Sequence, residues 1–61
     1  MKYRVIVKYH DQAEQIDCLS KDLARALYYA NSLIARGRSY YAIDYLRVED
    51  TDGVIYLKWE A

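Results

Sequence analysis

Alternating apolar and polar residues predict two strands in the first third of the chain. Residues 2–9 alternate, with Ile6 as the one apolar residue on the otherwise cationic face, and residues 15–19 alternate again after a polar interval. Side chains two positions apart on a strand share a face, so each segment has one apolar side. A four-residue loop at 11–14 would place Val7 opposite Cys18. The pattern therefore predicts a β-hairpin in that register.

A change to a period of three to four residues predicts a helix over residues 21–36. Ser20 is a suitable N-cap. Gly37 is predicted to end the helix, because glycine readily takes the positive φ of the residue that follows a helix. The apolar positions that define the helical period are Leu23, Ala26, Leu27, Ala30, Leu33 and Ile34.

The last third of the chain predicts a second hairpin. Two alternating segments, 40–49 and 54–60, flank an Asp-rich turn at residues 50–53 that closes with a glycine. A four-residue loop pairs Val48 with Ile55 and keeps the apolar side chains on one face, whereas a three-residue loop would mix the two faces. The four-residue register is therefore the predicted one.

Together these elements predict one α+β domain, residues 1–61, with the order ββαββ. Two hairpins form a four-stranded, mainly antiparallel sheet, and a single helix packs on one face. The strand order stays open, because the hairpins can join through the first and third strands or through other edges. The sheet residues predicted to face the helix are Val5, Val7, Ile16, Cys18, Leu46, Val48, Ile55, Leu57 and Trp59.

The opposite face of the sheet is predicted to face solvent, since one helix can cover only one side. It combines tyrosines, branched aliphatic residues and cations, and an exposed patch of that kind indicates a contact surface. Its predicted members are Lys2, Arg4, Ile6, Lys8, Asp17, Tyr41, Ile43, Tyr45, Arg47, Val54, Tyr56 and Lys58.

Composition adds that the folded monomer is only marginally stable. The 61 residues can bury only about 60% of the surface of the unfolded chain. A single cysteine excludes an intrachain disulfide, and the sequence has no metal-ligand cluster. Association with a second copy or a partner would compensate. Eight tyrosines without any phenylalanine further predict rings at the boundary of the core, each with one polar end in water.

Charge and hydropathy narrow the classes of function. Nine basic and nine acidic residues argue against a nonspecific polyanion binder. The apolar runs are too short for a membrane span, and the first residues lack the apolar stretch of a signal peptide. We therefore expect a cytoplasmic protein with no membrane partner.

Candidate catalytic and metal-binding residues are few. Cys18 is predicted to face the core and His10 to lie in a turn, so a cysteine–histidine pair is not expected. The acidic residues at 49–52 suit turn chemistry, and the sequence after Gly53 lacks the rest of a calcium loop. No glycine-rich phosphate loop is present. We expect neither an enzyme nor a cofactor or metal.

The favoured hypothesis is a non-enzymatic protein-interaction module, an adaptor or inhibitor that also forms a homodimer. Tyrosine and arginine dominate interface energetics, and they recur on the open sheet face and on a shoulder of the helix. The predicted contact residues are Tyr41, Ile43, Tyr45, Arg47 and Tyr56 on the sheet, and Tyr28 and Tyr29 on the helix. In size and pattern the chain resembles small accessory proteins of phages and mobile elements, many of which bind and block a host protein; the resemblance carries over no residues.

Two alternatives use the same residue types. Cations interleaved with stackable rings also favour binding of single-stranded nucleic acid. That interface would comprise Arg4, Lys8, Arg47, Lys58, Tyr45 and Tyr56. The other alternative is a small-ligand pocket lined by tyrosines between the helix and the sheet edge.

Overall fold

A computed structural model describes residues 2–40 and 42–61, with side chains for all of these except 37–40. Four strands form one antiparallel sheet in the order β2-β1-β3-β4. The helix α1 lies between β2 and β3 in the chain, so the predicted ββαββ fold is confirmed. The elements are β1 (Tyr3–Tyr9), β2 (Gln15–Ser20), α1 (Leu23–Tyr40), β3 (Ile43–Asp50) and β4 (Ile55–Glu60).

The two hairpins join through β1 and β3, which are the central strands. Val5 and Val7 on β1 and Leu46 and Val48 on β3 are fully buried. Each central strand is hydrogen-bonded on both sides and contributes the apolar residues that α1 covers. This pairing settles the strand order that the sequence left open.

The core lies between these central strands and the helix. Ala26 and Ala30 are fully buried, and their small side chains let the helix axis approach the sheet closely. Around this centre, half-buried residues fill the rim. The rim contains Tyr3, Tyr9, Cys18, Leu23, Leu27, Tyr29, Leu33, Ile34, Leu57 and Trp59.

Both ends of the helix differ from the prediction. Asp22, not Ser20, caps the helix, because its Oδ1 accepts a 2.9 Å hydrogen bond from the N–H of Ala24. The Ser20 hydroxyl instead accepts from the N–H of Asp22 at 3.0 Å in the preceding turn. At the other end the helix continues through Gly37 to Tyr40. Glycine permits the left-handed conformation but does not impose it, so its presence alone did not locate the end.

Longer connections and bulges on the two edge strands together overturn the predicted hairpin registers. On β2, Val5 pairs with Cys18 but Ile6 pairs with Ile16, which leaves Asp17 as the extra residue. Val7 pairs with Gln15, so the connection is also longer than the predicted four-residue loop, and the predicted pairing of Val7 with Cys18 was wrong. A bulge lets one strand accommodate an additional residue and shifts the face of every side chain beyond it.

A bulge also shifts the register on β4. Val48 pairs with Leu57 and Glu49 with Ile55, so Tyr56 is the extra residue. The prediction that Ile16 and Ile55 belong to the core was wrong: they lie on the side away from the helix, 53% and 49% exposed.

A third irregularity moves Ile43 in the opposite direction. Lys8 pairs with Tyr45 while Tyr9 pairs with Ile43, so Asp44 is the extra residue on β3. Ile43 is consequently 6% exposed and belongs to the core. Its predicted place on the open face was wrong, so this candidate contact residue is buried in the domain core.

Ile43 lies in the core and Ile55 on the surface, the reverse of the prediction. Removing one methylene group from each residue tests this finding. Ile43→Val should lower the free energy of unfolding by about 1 kcal/mol, because the lost group is buried. Ile55→Val is the matched control and should change it by less than about 0.5 kcal/mol. Urea denaturation followed by circular dichroism measures both. Equal losses, or a larger loss for Ile55→Val, would contradict the observed registers.

Candidate interaction surface

The open face is the side of the sheet opposite α1. The central strands define it, because Val5 and Val7 pack against the helix and the residues between them point away. Pairing then places residues of the edge strands on the same side. The open face comprises Arg4, Ile6, Lys8, Ile16, Leu19, Tyr45, Arg47, Glu49, Ile55, Lys58 and Glu60.

A carboxylate from the first hairpin loop bridges this face. Glu14 precedes β2, yet its two oxygens accept hydrogen bonds from Arg47 Nη1 and Nη2 on β3, at 3.2 and 2.9 Å. The Tyr45 hydroxyl donates to the same carboxylate. Since β1 lies between β2 and β3, the bridge passes over β1, where Ile6 is only 5% exposed. A polar network therefore covers an apolar residue that no helix covers.

Glu49 extends the network to a second arginine. Its Oε1 accepts from Arg4 Nε at 3.1 Å, and its Oε2 lies 3.6 Å from Arg47 Nε. Lys8 is paired separately, with Nζ 3.4 Å from Asp44 Oδ2. Three of the four cations predicted to contact phosphate are therefore already neutralised by carboxylates of the same domain. Lys58, the fourth, lies opposite Arg47 on β4 and is exposed.

The network shifts the protonation equilibria of its members. The hydrogen bonds from Arg47 and then from Tyr45 lower the pKa of Glu14 to about 2, and they outweigh the opposing effect of burial. The hydrogen bond to ionised Glu14 in turn raises the pKa of Tyr45, because loss of the phenolic proton would place two negative charges together. Around neutral pH, Glu14 is therefore ionised, Arg47 is charged and Tyr45 keeps its proton, so all three hydrogen bonds persist.

Tyr56 does not share the open face with Tyr45, which corrects the prediction. The bulge turns it towards the helix side, where its ring packs edge to face against Tyr3 with centroids 5.5 Å apart. Its hydroxyl donates to Asp50 Oδ2 at 2.8 Å. Tyr56 is 40% exposed, so it borders the core instead of contributing to the surface opposite.

Asp50 organises the second hairpin turn, and its side chain is almost completely buried. Its Oδ1 accepts hydrogen bonds from the N–H groups of Asp52 and Val54, at 2.8 and 3.0 Å. Burial opposes the charge, but the bonds from Tyr56 and from the backbone outweigh it and lower the pKa of Asp50. Gly53 completes the turn with φ +86°, a conformation that favours glycine. The acidic turn residues therefore serve local structure.

Asp17, also predicted on the open face, lies on the helix side as well. Its Oδ2 accepts hydrogen bonds from the hydroxyls of Tyr9 at 2.7 Å and Tyr29 at 3.2 Å. Burial and the neighbouring Asp17 charge raise the pKa of Tyr29. Tyr29 is therefore half-buried and tied to β2, whereas the adjacent Tyr28 is 77% exposed. The other predicted contact residue, Tyr41, falls outside the described residues.

A shallow depression on the open face runs between β3 and β4. It has a volume of about 360 Å³ and is lined by Tyr45, Leu46, Arg47, Ile55, Lys58 and Glu60. Its position differs from the tyrosine-lined pocket predicted between helix and sheet edge, and Tyr45 is its one tyrosine. Across the depression Arg47 pairs with Lys58 and Tyr45 pairs with Glu60, so both cations and a carboxylate line it.

The candidate nucleophile and base lie far apart. Cys18 pairs with Val5, while His10 follows β1, five residues further along. At about 3.3 Å per residue the separation is roughly 17 Å. His10 is exposed, with ring nitrogens 3.5 Å from Asp11 and 3.6 Å from Asp44. In the described ranges, no group of three or more histidine, cysteine or acidic side chains could hold a metal ion.

Comparison with protein-family models, with curated proteins and with solved structures gave no match. Over the described residues, no helix combines the length and apolar character needed to cross a membrane. The candidate surface is therefore defined by its geometry. Sequence reasoning placed six residues on this face correctly, namely Arg4, Ile6, Lys8, Tyr45, Arg47 and Lys58. It missed Glu14, Ile16, Leu19, Glu49, Ile55 and Glu60.

The Glu14 bridge makes a specific contribution to acid stability. Because the folded-state pKa of Glu14, about 2, lies below the ordinary value of 4.5, its contribution is complete above about pH 5 and is lost as pH falls towards 2. Glu14→Gln removes this term. The variant should be less stable than the wild type at pH 7, and the difference should shrink progressively between pH 5 and pH 2.

Urea midpoints measured at intervals across that range test the bridge. Glu60→Gln is a suitable control, since Glu60 lies on the same face and its side chain has no hydrogen bond or ion pair among the described residues. Parallel pH profiles for wild type and Glu14→Gln would show that the bridge contributes nothing to folding.

Proposed function

We propose that this domain is a non-enzymatic interaction module that binds a second copy of itself through the open face. The observation that carries the proposal is the exposure of three branched aliphatic side chains there. Ile16, Leu19 and Ile55 are 53%, 59% and 49% exposed. The first two lie on one edge strand and the third on the other, so apolar side chains flank the central polar network. Side chains of this kind gain free energy when a partner removes them from water.

Charge favours a second copy as the partner. The cations Arg4, Lys8, Arg47 and Lys58 are matched on or beside the open face by four carboxylates, Glu14, Asp44, Glu49 and Glu60. A balanced surface can meet itself across a two-fold axis with opposite charges facing each other. It offers little to a polyanion, which would have to displace carboxylates already bound to arginine. These pairs count against the nucleic-acid alternative.

The dimensions of the domain agree with this assignment. The Cα atoms extend 31 × 20 × 15 Å, and the accessible surface is 4227 Å². If the two longer dimensions bound the sheet, the open face measures on the order of 600 Å² before side chains are added, close to the roughly 800 Å² per partner of a stable interface. Dimerisation would also stabilise a fold whose small core leaves it marginal, because binding to the folded state shifts the folding equilibrium.

The proposal predicts that charge introduced at the aliphatic positions prevents dimerisation. Leu19→Lys combined with Ile55→Lys should weaken the dimer at least about tenfold, since each lysine would lose its hydration in the interface. Tyr28→Lys is the matched control: it also places a lysine at an exposed apolar residue, but on the helix side. Sedimentation equilibrium measures the dissociation constant of each variant.

The outcomes separate the alternatives. A wild-type chain that is monomeric at high micromolar concentration excludes the homodimer. A dimer disrupted by Tyr28→Lys and not by the sheet variant would place the interface on the helix. Both edge positions are already exposed in the monomer, so we expect the variants to fold. Circular dichroism of each variant checks this.

A further inference from the structure

The helix differs from the rest of the domain in charge. Residues 23–40 contain three arginines and no acidic residue, whereas the rest of the chain carries all nine acidic residues and six of the nine basic ones. A neutral chain is thus folded into a cationic helix layer and an acidic sheet layer. Such segregation creates a local field that overall neutrality conceals.

The exposed side of the helix arranges part of this charge in a line. Arg25, Tyr28, Ser32 and Arg36 follow spacings of three and four residues, which places them on one side of an α-helix. From Arg25 to Arg36 the line is roughly 16 Å long. We call these four residues the arginine stripe. Tyr28, at 77% exposed, has the largest exposed fraction among the large hydrophobic side chains of the described part.

The arginines of the stripe are free to bind a partner, unlike those of the sheet. Arg4 and Arg47 are held by Glu49 and Glu14 on the open face. Within the part of the chain that the structure describes, Arg25 and Arg36 form no ion pair and both are exposed. The carboxylate closest in sequence to Arg25, Asp22, is engaged as the helix N-cap. The fold therefore neutralises the sheet arginines internally and leaves these helix arginines unpaired.

We propose that the arginine stripe is a second interaction surface, which binds an acidic segment of a partner protein. Guanidinium groups form bidentate pairs with carboxylates, and tyrosine and arginine are the residue types most often dominant in protein interfaces. The Ser32 hydroxyl donates to the Tyr28 carbonyl at 2.9 Å, so the short Ser32 side chain lies against the helix between Tyr28 and Arg36. Glutamates spaced three and four residues apart on a partner helix would match the stripe.

A short acidic protein segment fits this surface better than a nucleic acid. The domain has no net charge, so it exerts no long-range attraction on a polyanion. A long polyanion would also extend past the stripe towards the acidic sheet layer, whereas a segment of four or five helical turns at most can be confined to the helix. This surface lies on the opposite side of the domain from the open face, so a dimer formed through the open face would display two stripes on its outside.

The test uses a fluorescein-labelled, alanine-rich helical peptide whose glutamates lie three and four residues apart on one face. A peptide of the same composition, with the glutamates distributed around the helix, is the reference. Fluorescence anisotropy at about 20 mM salt should give tighter binding for the first peptide, because the Debye length is then long enough for surface charges to act.

Arg25→Gln combined with Arg36→Gln should weaken binding of the matched peptide at least about tenfold. Gln12→Glu combined with Thr51→Glu is the matched control, with the same change in net charge at two exposed residues outside the helix and the open face, and should change it less than about twofold. Tyr28→Ala should also weaken binding. The monomeric Leu19→Lys, Ile55→Lys variant should bind the peptide as the wild type does, so failure of the dimer and failure of the stripe are distinguishable.

Several results would overturn the proposal. Equal losses in the two double variants would show that only net charge matters. Tighter binding of a thymidine oligonucleotide of the same charge, unaffected by Tyr28→Ala, would assign the arginines to nucleic acid. No preference for the matched peptide over the reference would remove the role of helical spacing.

Discussion

The domain has one helix for a four-stranded sheet, and most of its other features follow from that constraint. A helix covers roughly two strands, so the fully buried residues of the sheet lie on β1 and β3, against Ala26 and Ala30. The edge strands are only partly covered on one side and have no helix on the other. Each end of the sheet therefore needs a local solution for side chains that the core cannot accommodate.

Bulges supply that solution at both edges. They turn Asp17 and Tyr56 towards the helix side, where each joins a tyrosine–carboxylate hydrogen bond at the rim of the core. They also turn Ile16 and Ile55 towards the open face. The same irregularities that give buried polar groups their partners thus create the exposed apolar positions from which a dimer interface is proposed.

The polar network on the open face compensates for the missing second helix. Glu14 reaches over β1 to Arg47, and Glu49 joins Arg47 to Arg4, so the aliphatic Ile6 is covered by paired charges. All nine acidic residues lie outside residues 23–40, so the helix has no carboxylate of its own to pair with its arginines. The distribution of charge along the chain therefore explains both the paired arginines of the sheet and the unpaired arginines of the stripe.

The sequence by itself determined the number, order and type of the elements, because the periods of two and of 3.6 residues are local properties that survive any tertiary arrangement. It also determined the central core residues of β1, since in residues 2–9 one face is apolar throughout whereas the other carries only Ile6 among cations. Only the tertiary structure decided strand order, registers and the membership of the open face. A bulge inserts one residue without a clear signal in the pattern, and it reverses the face of Ile16, Ile43 and Ile55. The Glu14 bridge likewise joins residues 33 positions apart, so its geometry arises only when β1 comes to lie between β2 and β3.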